Sequence, residues 1–152
     1  MIRFGTQEFF DELRRRVNSD DMFRKLGRDT YTASELIVIE DLGIGIWQKT
    51  SAGLVTELLL VGKKDLKELE SKSDIIYYVD AYDTMVSICT GDESFVSMVI
   101  DDRLRMKGPL KLAMSYQGAS ERMEEILKAT TEEVIIPTSI QYRRWASDNG
   151  YL

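Results

Sequence analysis

The chain has no histidine and a single cysteine among its 152 residues, and each scarcity removes a class of chemistry. Without histidine there is neither the commonest general base at neutral pH nor the commonest metal ligand. One cysteine, Cys89, rules out an intramolecular disulfide and a thiolate metal cluster. Basic residues are outnumbered 20 to 26 by acidic ones, for a net charge of −6. Such a surface is poorly suited to a nucleic-acid backbone or to electrostatic attachment on anionic membranes. Long apolar runs are missing too. No stretch approaches membrane-spanning length, and Met1 to Arg16 contains no apolar core of signal-peptide size. A soluble, cytoplasmic protein is the expectation. Hydrophobic content of 43% beside 30% charged residues is ordinary for a globular chain. The length suits a single domain over residues 1–152.

What is present is a series of patterned segments. Thr6 stands as an N-cap before Phe9, Phe10, Leu13 and Val17, whose spacing gives one apolar helical face. Asp11 with Arg15 and Glu12 with Arg16 form i,i+4 pairs on the other face, so Arg14-Arg15-Arg16 reads as a solvated face. Ser19 is placed to cap a second short helix carrying Met22, Phe23 and Leu26, with Gly27 closing it. Leu36–Ile39, Ile44–Trp47 and Leu54–Val61 read as a strand meander with turn chemistry at Asp41-Leu42-Gly43 and Thr50-Ser51-Ala52-Gly53. Gly43-Ile44-Gly45 lacks the third glycine and the helix of a dinucleotide loop, and is expected to be a turn with a bulge. Leu66 and Leu69 suggest one helical turn in the charged connection from Lys63 to Lys72.

The most informative stretch runs from Ser73 to Leu127. Ile75-Ile76-Tyr77-Tyr78-Val79 has the β-branched and aromatic content of a strand covered on both faces. Two short apolar helical patterns follow, hinged at Gly91; one carries Met85, Val86, Ile88 and Cys89, the other Phe95, Val96, Met98, Val99 and Ile100. Arg103 to Lys107 alternates as a half-exposed strand that stops at Gly108. Pro109 then opens a helix expected to reach Lys128, with Ala113, Tyr116, Ala119, Met123 and Ile126 facing inward. Residues 129–152 make a C-terminal extension. In it Val134-Ile135-Ile136 is extended before Pro137, and Thr138 or Ser139 caps a last helix carrying Ile140, Tyr142 and Trp145. This tail is too apolar to lie loose in water; a lid, an extension of the core and a contact with a second subunit are the alternatives.

The order strand, two short helices, strand, Gly, helix resembles the sterol carrier protein family (the type-two, sterol-binding domain). Gly91 fills the glycine that ends the family's first short helix, Leu104 and Met106 the apolar positions of its fifth strand, and Gly108 the glycine after it. Leu112-Ala113-Met114 sits where the family's last helix is apolar, and Asp102 stands where the family usually has glycine. The likeness covers about a third of the chain well. It implies an α+β fold, a mostly antiparallel sheet of about five strands covered on one face by helices.

Catalytic constellations are not found. Cys89 lies in an apolar helical pattern, where burial would leave it inert. The carboxylate doublets Asp20-Asp21, Asp101-Asp102, Glu124-Glu125 and Glu132-Glu133 are neighbours in sequence, and adjacent helical residues do not face one another. Neither an enzyme, a metal site nor a cofactor is therefore expected. The resemblance instead implies a carrier that holds one apolar molecule, such as a sterol or a fatty acyl chain, in a tunnel between helices and sheet. The lining it points to is Trp47, Leu58, Leu60, Met85, Ile88, Phe95, Met98, Val99 and Met106. The alternative is a non-catalytic interaction or dimerisation module in which the same residues are ordinary core.

Overall fold

The computed structural model describes the whole chain except Ser94 and the side chains of Phe95 and Val96. Five strands form one sheet: β1 (Ala33–Ile39), β2 (Ile44–Ser51), β3 (Leu54–Val61), β4 (Ile75–Val79) and β5 (Leu104–Lys107). Their spatial order is β3-β2-β1-β4-β5. Neighbours run antiparallel except β1 and β4, which are parallel; the helical connection that enters β4 leaves from β3. The bulge falls between Lys49 and Thr50, not at Gly43–Gly45; Gly45 is an interior position of β2, and Gly43 occupies the turn before it.

Alternation along the strands decides what each face does. Ala33, Ile39, Ile44, Ile46, Leu58, Leu60, Ile75, Val79 and Leu104 belong to the main core beneath the helices. Leu36, Val38, Trp47, Val61, Leu66 and Ile76 form a smaller core on the opposite face. That second core is roofed by α3 (Leu66–Lys72), so the connection at Lys63–Lys72 is a 3-10 turn plus a real helix rather than one turn. The helices therefore do not stay on one face.

On the main face, α1 (Gln7–Asn18) is capped by Thr6 and buries Phe9, Phe10, Leu13 and Val17 as its spacing requires. It is fastened to β3 by two side-chain amides. Gln7 Nε2 donates to Leu58 O at 3.0 Å and Gln7 Oε1 accepts from Leu60 N at 2.8 Å. Asn18 does the same at Val55, at 2.9 Å in each direction. Glu12 pairs with both Arg15 and Arg16, and Arg16 also reaches Glu133. The cap of α2 (Asp21–Gly27) is Asp20, not Ser19, and the helix runs through Gly27 to Arg28. Asp20 has a second partner in Arg122, which ties α2 to the long α7 (Gln117–Thr131).

Helix α4 (Tyr82–Thr90) ends at Gly91 in the left-handed conformation, and α5 (Phe95–Ile100) follows. Asp102 has φ +62. The turn that glycine makes in the resembling family is thus made here by aspartate, a residue that tolerates the left-handed region. Gly108, φ +131, has no such substitute: a Cβ there would stand 2.5 Å from the Asp74 carbonyl oxygen. The helix expected over Pro109–Lys128 is two, α6 (Leu110–Ser115) and α7, broken at Tyr116, whose φ of −119 departs from the helical range. The break lets the Tyr116 ring turn inward.

The tail extends the core. Ile135 pairs with Arg3 in a short parallel bridge. Helix α8 (Ser139–Asp148), with a complete capping box at Thr138 and Gln141, buries Tyr142 and Ala146. Tyr142 stacks on Tyr82 at 4.6 Å and donates to Gly5 O at 2.7 Å. Tyr82 in turn donates to Pro137 O at 2.7 Å.

Candidate functional site

One row of side chains on the helix-covered face is incompletely buried. The register aligns Ile37 on the central strand with Tyr77 on β4, and Tyr77 with Met106 on β5. All three point toward the helices, yet all three remain partly open. A central strand beneath a helical layer would ordinarily be closed. From above, Val86 and Ile88 of α4, Leu112 and Ala113 of α6, and Met123 and Ile126 of α7 pack against the same core and are partly open as well. These partly open apolar side chains of β1, β4 and β5 and of α4, α6 and α7, all members of the one main core, are called the seam below. Under α1, by contrast, Leu58, Leu60 and Val55 are closed.

Beside this seam lies a polar cluster. Glu35, two residues before Ile37 on the same face of β1, is only 8% exposed. Tyr31 donates its hydroxyl to the Glu35 carboxylate, and Gln48 Nε2 donates to Tyr31 Oη at 2.8 Å and to Thr50 at 3.2 Å. Tyr31 is stacked between Phe23 at 5.9 Å and Tyr116 at 4.2 Å. The Tyr116 hydroxyl also interacts with the Glu35 carboxyl, and it lies within electrostatic reach of Tyr77. Burial pushes the Glu35 carboxyl above its ordinary value against the opposing pull of the two tyrosine hydroxyls. Burial, reinforced by Glu35, pushes the phenols of Tyr31, Tyr77 and Tyr116 up too.

The raised Glu35 carboxyl has a consequence for stability. A carboxyl whose folded pKa exceeds its unfolded one takes up a proton on folding. Its favourable contribution is complete below the ordinary value of 4.5 and is lost as pH rises through the folded value. Glu35→Gln, which keeps an acceptor for Tyr31, is therefore expected to gain stability relative to the parent chain as pH rises from 4.5. Urea unfolding of both chains across a pH series measures this; a difference independent of pH would contradict it.

A well-formed open concavity lies elsewhere. It is a groove of about 390 Å³ where α8 meets the first residues, walled by Phe4, Ile135, Tyr142 and Trp145 and rimmed by Arg3, Arg144 and Asp148.

The lining residues expected from the sequence are dispersed. Met106 is on the seam and Ile88 borders it; Met85 and Met98 are closed into the core. Leu58 and Leu60 are on the correct face but under α1. Trp47 points to the opposite face, in the small core, with Nε1 donating to Glu57 at 3.2 Å. Its pairing with Leu59 rather than Leu58 places it there. Val99 is exposed, because it lies on the outer side of a short helix whose inner side carries Met98. The Phe95 side chain lies outside the described residues. Cys89 is buried, and burial pushes its thiol up to about 12, which suits a structural role. Sequence reasoning missed Glu35, Tyr31, Gln48 and the role of Ile37 and Tyr77. The available signal was a charged residue at an inward position, two before Ile37, on a strand that begins at Ala33, ahead of the apolar run Leu36–Ile39.

Among the described residues, no group of three or more acidic or cysteine side chains converges as metal ligands would, and no helix is long and apolar enough to cross a membrane. No protein-family model and no curated protein matches the sequence. Solved structures do match. The crystal structure of sterol carrier protein 2 superposes with a TM-score of 0.66 at 16% identity, over 81% of this chain and 95% of that one. A Thermus thermophilus protein described as possibly a sterol carrier protein gives 0.67 at 16% identity, over 88% and 92%. The UbiJ-SCP2 ubiquinone synthesis protein gives 0.52 at 7% identity, over 88% and 98%. With its five strands in mixed order and its helices distributed as described, the chain has the α+β fold of the sterol carrier protein 2 structures.

Proposed function

We propose that the chain is a non-catalytic carrier that holds one elongated apolar ligand in the seam between β1, β4 and β5 and helices α4, α6 and α7. The observation that supports this reading is the partial opening of Ile37 and Tyr77 at the middle of the sheet, beneath helices. Each methylene moved from water into such a space contributes about 0.8 kcal/mol, so a lipid-length chain binds without a charged anchor. The groove at α8 is the competing site, and it differs in having charged residues at its rim.

Displacement of a fluorescent fatty acyl probe from delipidated protein separates the two. Met106→Glu and Ile126→Glu place a charge on the seam at partly open positions that tolerate it in the folded state. Each is expected to weaken probe binding by about tenfold or more, since an unpaired polar group against an apolar ligand costs about 1–3 kcal/mol. Trp145→Ala should leave it within about twofold. The reverse pattern would move the site to the groove, and unchanged affinity in all three variants would refute it at both places. A second reading, docking of a partner protein, is favoured by Ile100, Leu110 and Met114, which are 77%, 61% and 61% exposed. It predicts a change of oligomeric state on Leu110→Asp with probe binding unaltered.

A further inference from the structure

Independently of the seam, we propose that the groove between α8 and the first residues is a binding site for a flat aromatic carboxylate. Its volume of about 390 Å³ lies toward the lower end of the range for small-molecule pockets, about 300–1,000 Å³, which suits a ligand of one or two rings. Phe4, Tyr142 and Trp145 supply aromatic walls, and Ile135 and Pro137 complete the apolar part. Trp145 is partly open, and its ring is braced by Tyr142 at 5.6 Å and by Tyr151 at 5.5 Å. Rings packed against rings gain more than the area they bury.

The polar groups around these walls are donors in excess. The guanidinium groups of Arg3 and Arg144 have no ion-pair or hydrogen-bond partner among the described residues. The same holds for the indole N–H of Trp145 and for the amide nitrogen of Gln141, whose amide oxygen accepts from Thr138 N at 2.9 Å. Asp148 is the single acid among the described lining residues. Two guanidiniums against one carboxylate leave the groove locally positive in a chain of net charge −6. Exposed arginines elsewhere, such as Arg15 and Arg105, are paired with Glu12 and Glu40. A carboxylate accepts from such donors, carries the complementary charge and matches the guanidinium fork with its two oxygens. An ammonium would meet both arginines as like charges.

Both cations stand on fixed backbone. Phe4 N donates to Ile135 O at 2.8 Å and Ile135 N donates to Ile2 O at 3.1 Å, which clamps the chain on either side of Arg3. The Thr6 hydroxyl donates to Arg3 O at 2.8 Å. Arg144 is carried by α8, which Tyr142 and Ala146 anchor in the core. A site already in place loses less freedom when a ligand arrives.

The test titrates naphthoate, methylnaphthalene, naphthylmethylamine and octanoate into the isotope-labelled, delipidated full chain, followed by nitrogen–proton NMR. The chain has two indole N–H groups, and that of Trp145 is identified by its loss in Trp145→Phe. Naphthoate should shift the Trp145 signal to saturation and leave that of Trp47, which is bonded to Glu57 on the opposite face of the sheet. It is expected to bind about fivefold or more tighter than methylnaphthalene or naphthylmethylamine, the upper effect of an exposed ion pair, and tighter than octanoate. Arg3→Gln and Arg144→Gln should each weaken it about fivefold without lowering the melting temperature, and added salt should weaken it too. Met106→Glu should leave it within about twofold, since distant sites act independently. Naphthoate that binds no tighter than methylnaphthalene, or that ignores both arginine variants, would overturn the carboxylate assignment. Octanoate binding as tightly as naphthoate would overturn the aromatic one. Loss of naphthoate in Met106→Glu alone would place it in the seam and overturn the groove. Failure of all four compounds to bind would overturn the groove while leaving the acyl-probe result to decide the seam.

Discussion

A chain ending at Thr131 will not complete a cooperative fold. The segment removed carries Tyr142 and Ala146, 2% and 0% exposed, together with the strand-like pairing of Ile135 to Arg3. Its loss uncovers Phe4 and Tyr82 and leaves the Tyr82 hydroxyl and Gly5 O without their present partners. The site is built around the ring: Gly5 has φ +80, and a Cβ there would lie 2.6 Å from Tyr142 Cε2. Tyr142→Ala alone should cost about 3–5 kcal/mol, the range for truncating a buried aromatic ring, against a total stability of about 5–15 kcal/mol for a domain. Tyr142→Phe keeps the stack and should cost about 1 kcal/mol. Urea denaturation followed by far-UV circular dichroism checks all three. A truncated chain that still unfolds cooperatively within about 1 kcal/mol of the parent would make the tail a detachable lid.

The second large effect is expected at Met98. This residue of α5 is fully enclosed, at 0% exposure, although its neighbour Val99 is exposed. Met98→Lys forces either an ammonium into the core or a proton off it, and shifts of several pK units in such sites correspond to about 4 kcal/mol or more. Met98→Leu should cost less than about 1.5 kcal/mol. Thermal unfolding of the pair gives the contrast directly. A Met98→Lys chain as stable as Met98→Leu would show that the position opens to solvent. For the same reason Met98 is a poor probe of ligand binding, and Met106 and Ile126 are the better ones.

Much of the architecture was legible in the residues because the physical rules involved are local. The spacing of Phe9, Leu13 and Val17, the run Ile75–Val79 and the pattern around Gly91 and Gly108 each specify their elements. Resemblance over Ser73–Leu127 then ordered them into a known fold. What failed depended on register or on distant contacts. Trp47 lies on the face opposite the one expected, since a strand's parity relative to its partners is fixed only by the pairing Trp47↔Leu59. The break at Tyr116 carries no proline or glycine at the position itself, and arises because its ring is drawn into the stack with Tyr31. Glu35 escapes a reading of the sequence because a buried acid becomes tolerable only with the Tyr31 hydroxyl turned onto it, and that hydroxyl is held in turn by Gln48 of β2.

The amides of Gln7 and Asn18 have a bearing on assembly. β3 is an edge of the sheet, and an edge strand offers a row of free peptide groups to any extended chain that meets it. Gln7 occupies Leu58 O and Leu60 N, and Asn18 occupies both peptide groups of Val55. Two side chains thus imitate a sixth strand without supplying a backbone that another molecule could pair with. The opposite edge, β5, is four residues long and stops at Gly108-Pro109, too short and too interrupted to template much. A concentrated solution of this protein should accordingly resist fibre growth by strand addition until α1 comes away, and the amide pair makes that helix a guard against aggregation as well as a part of the core.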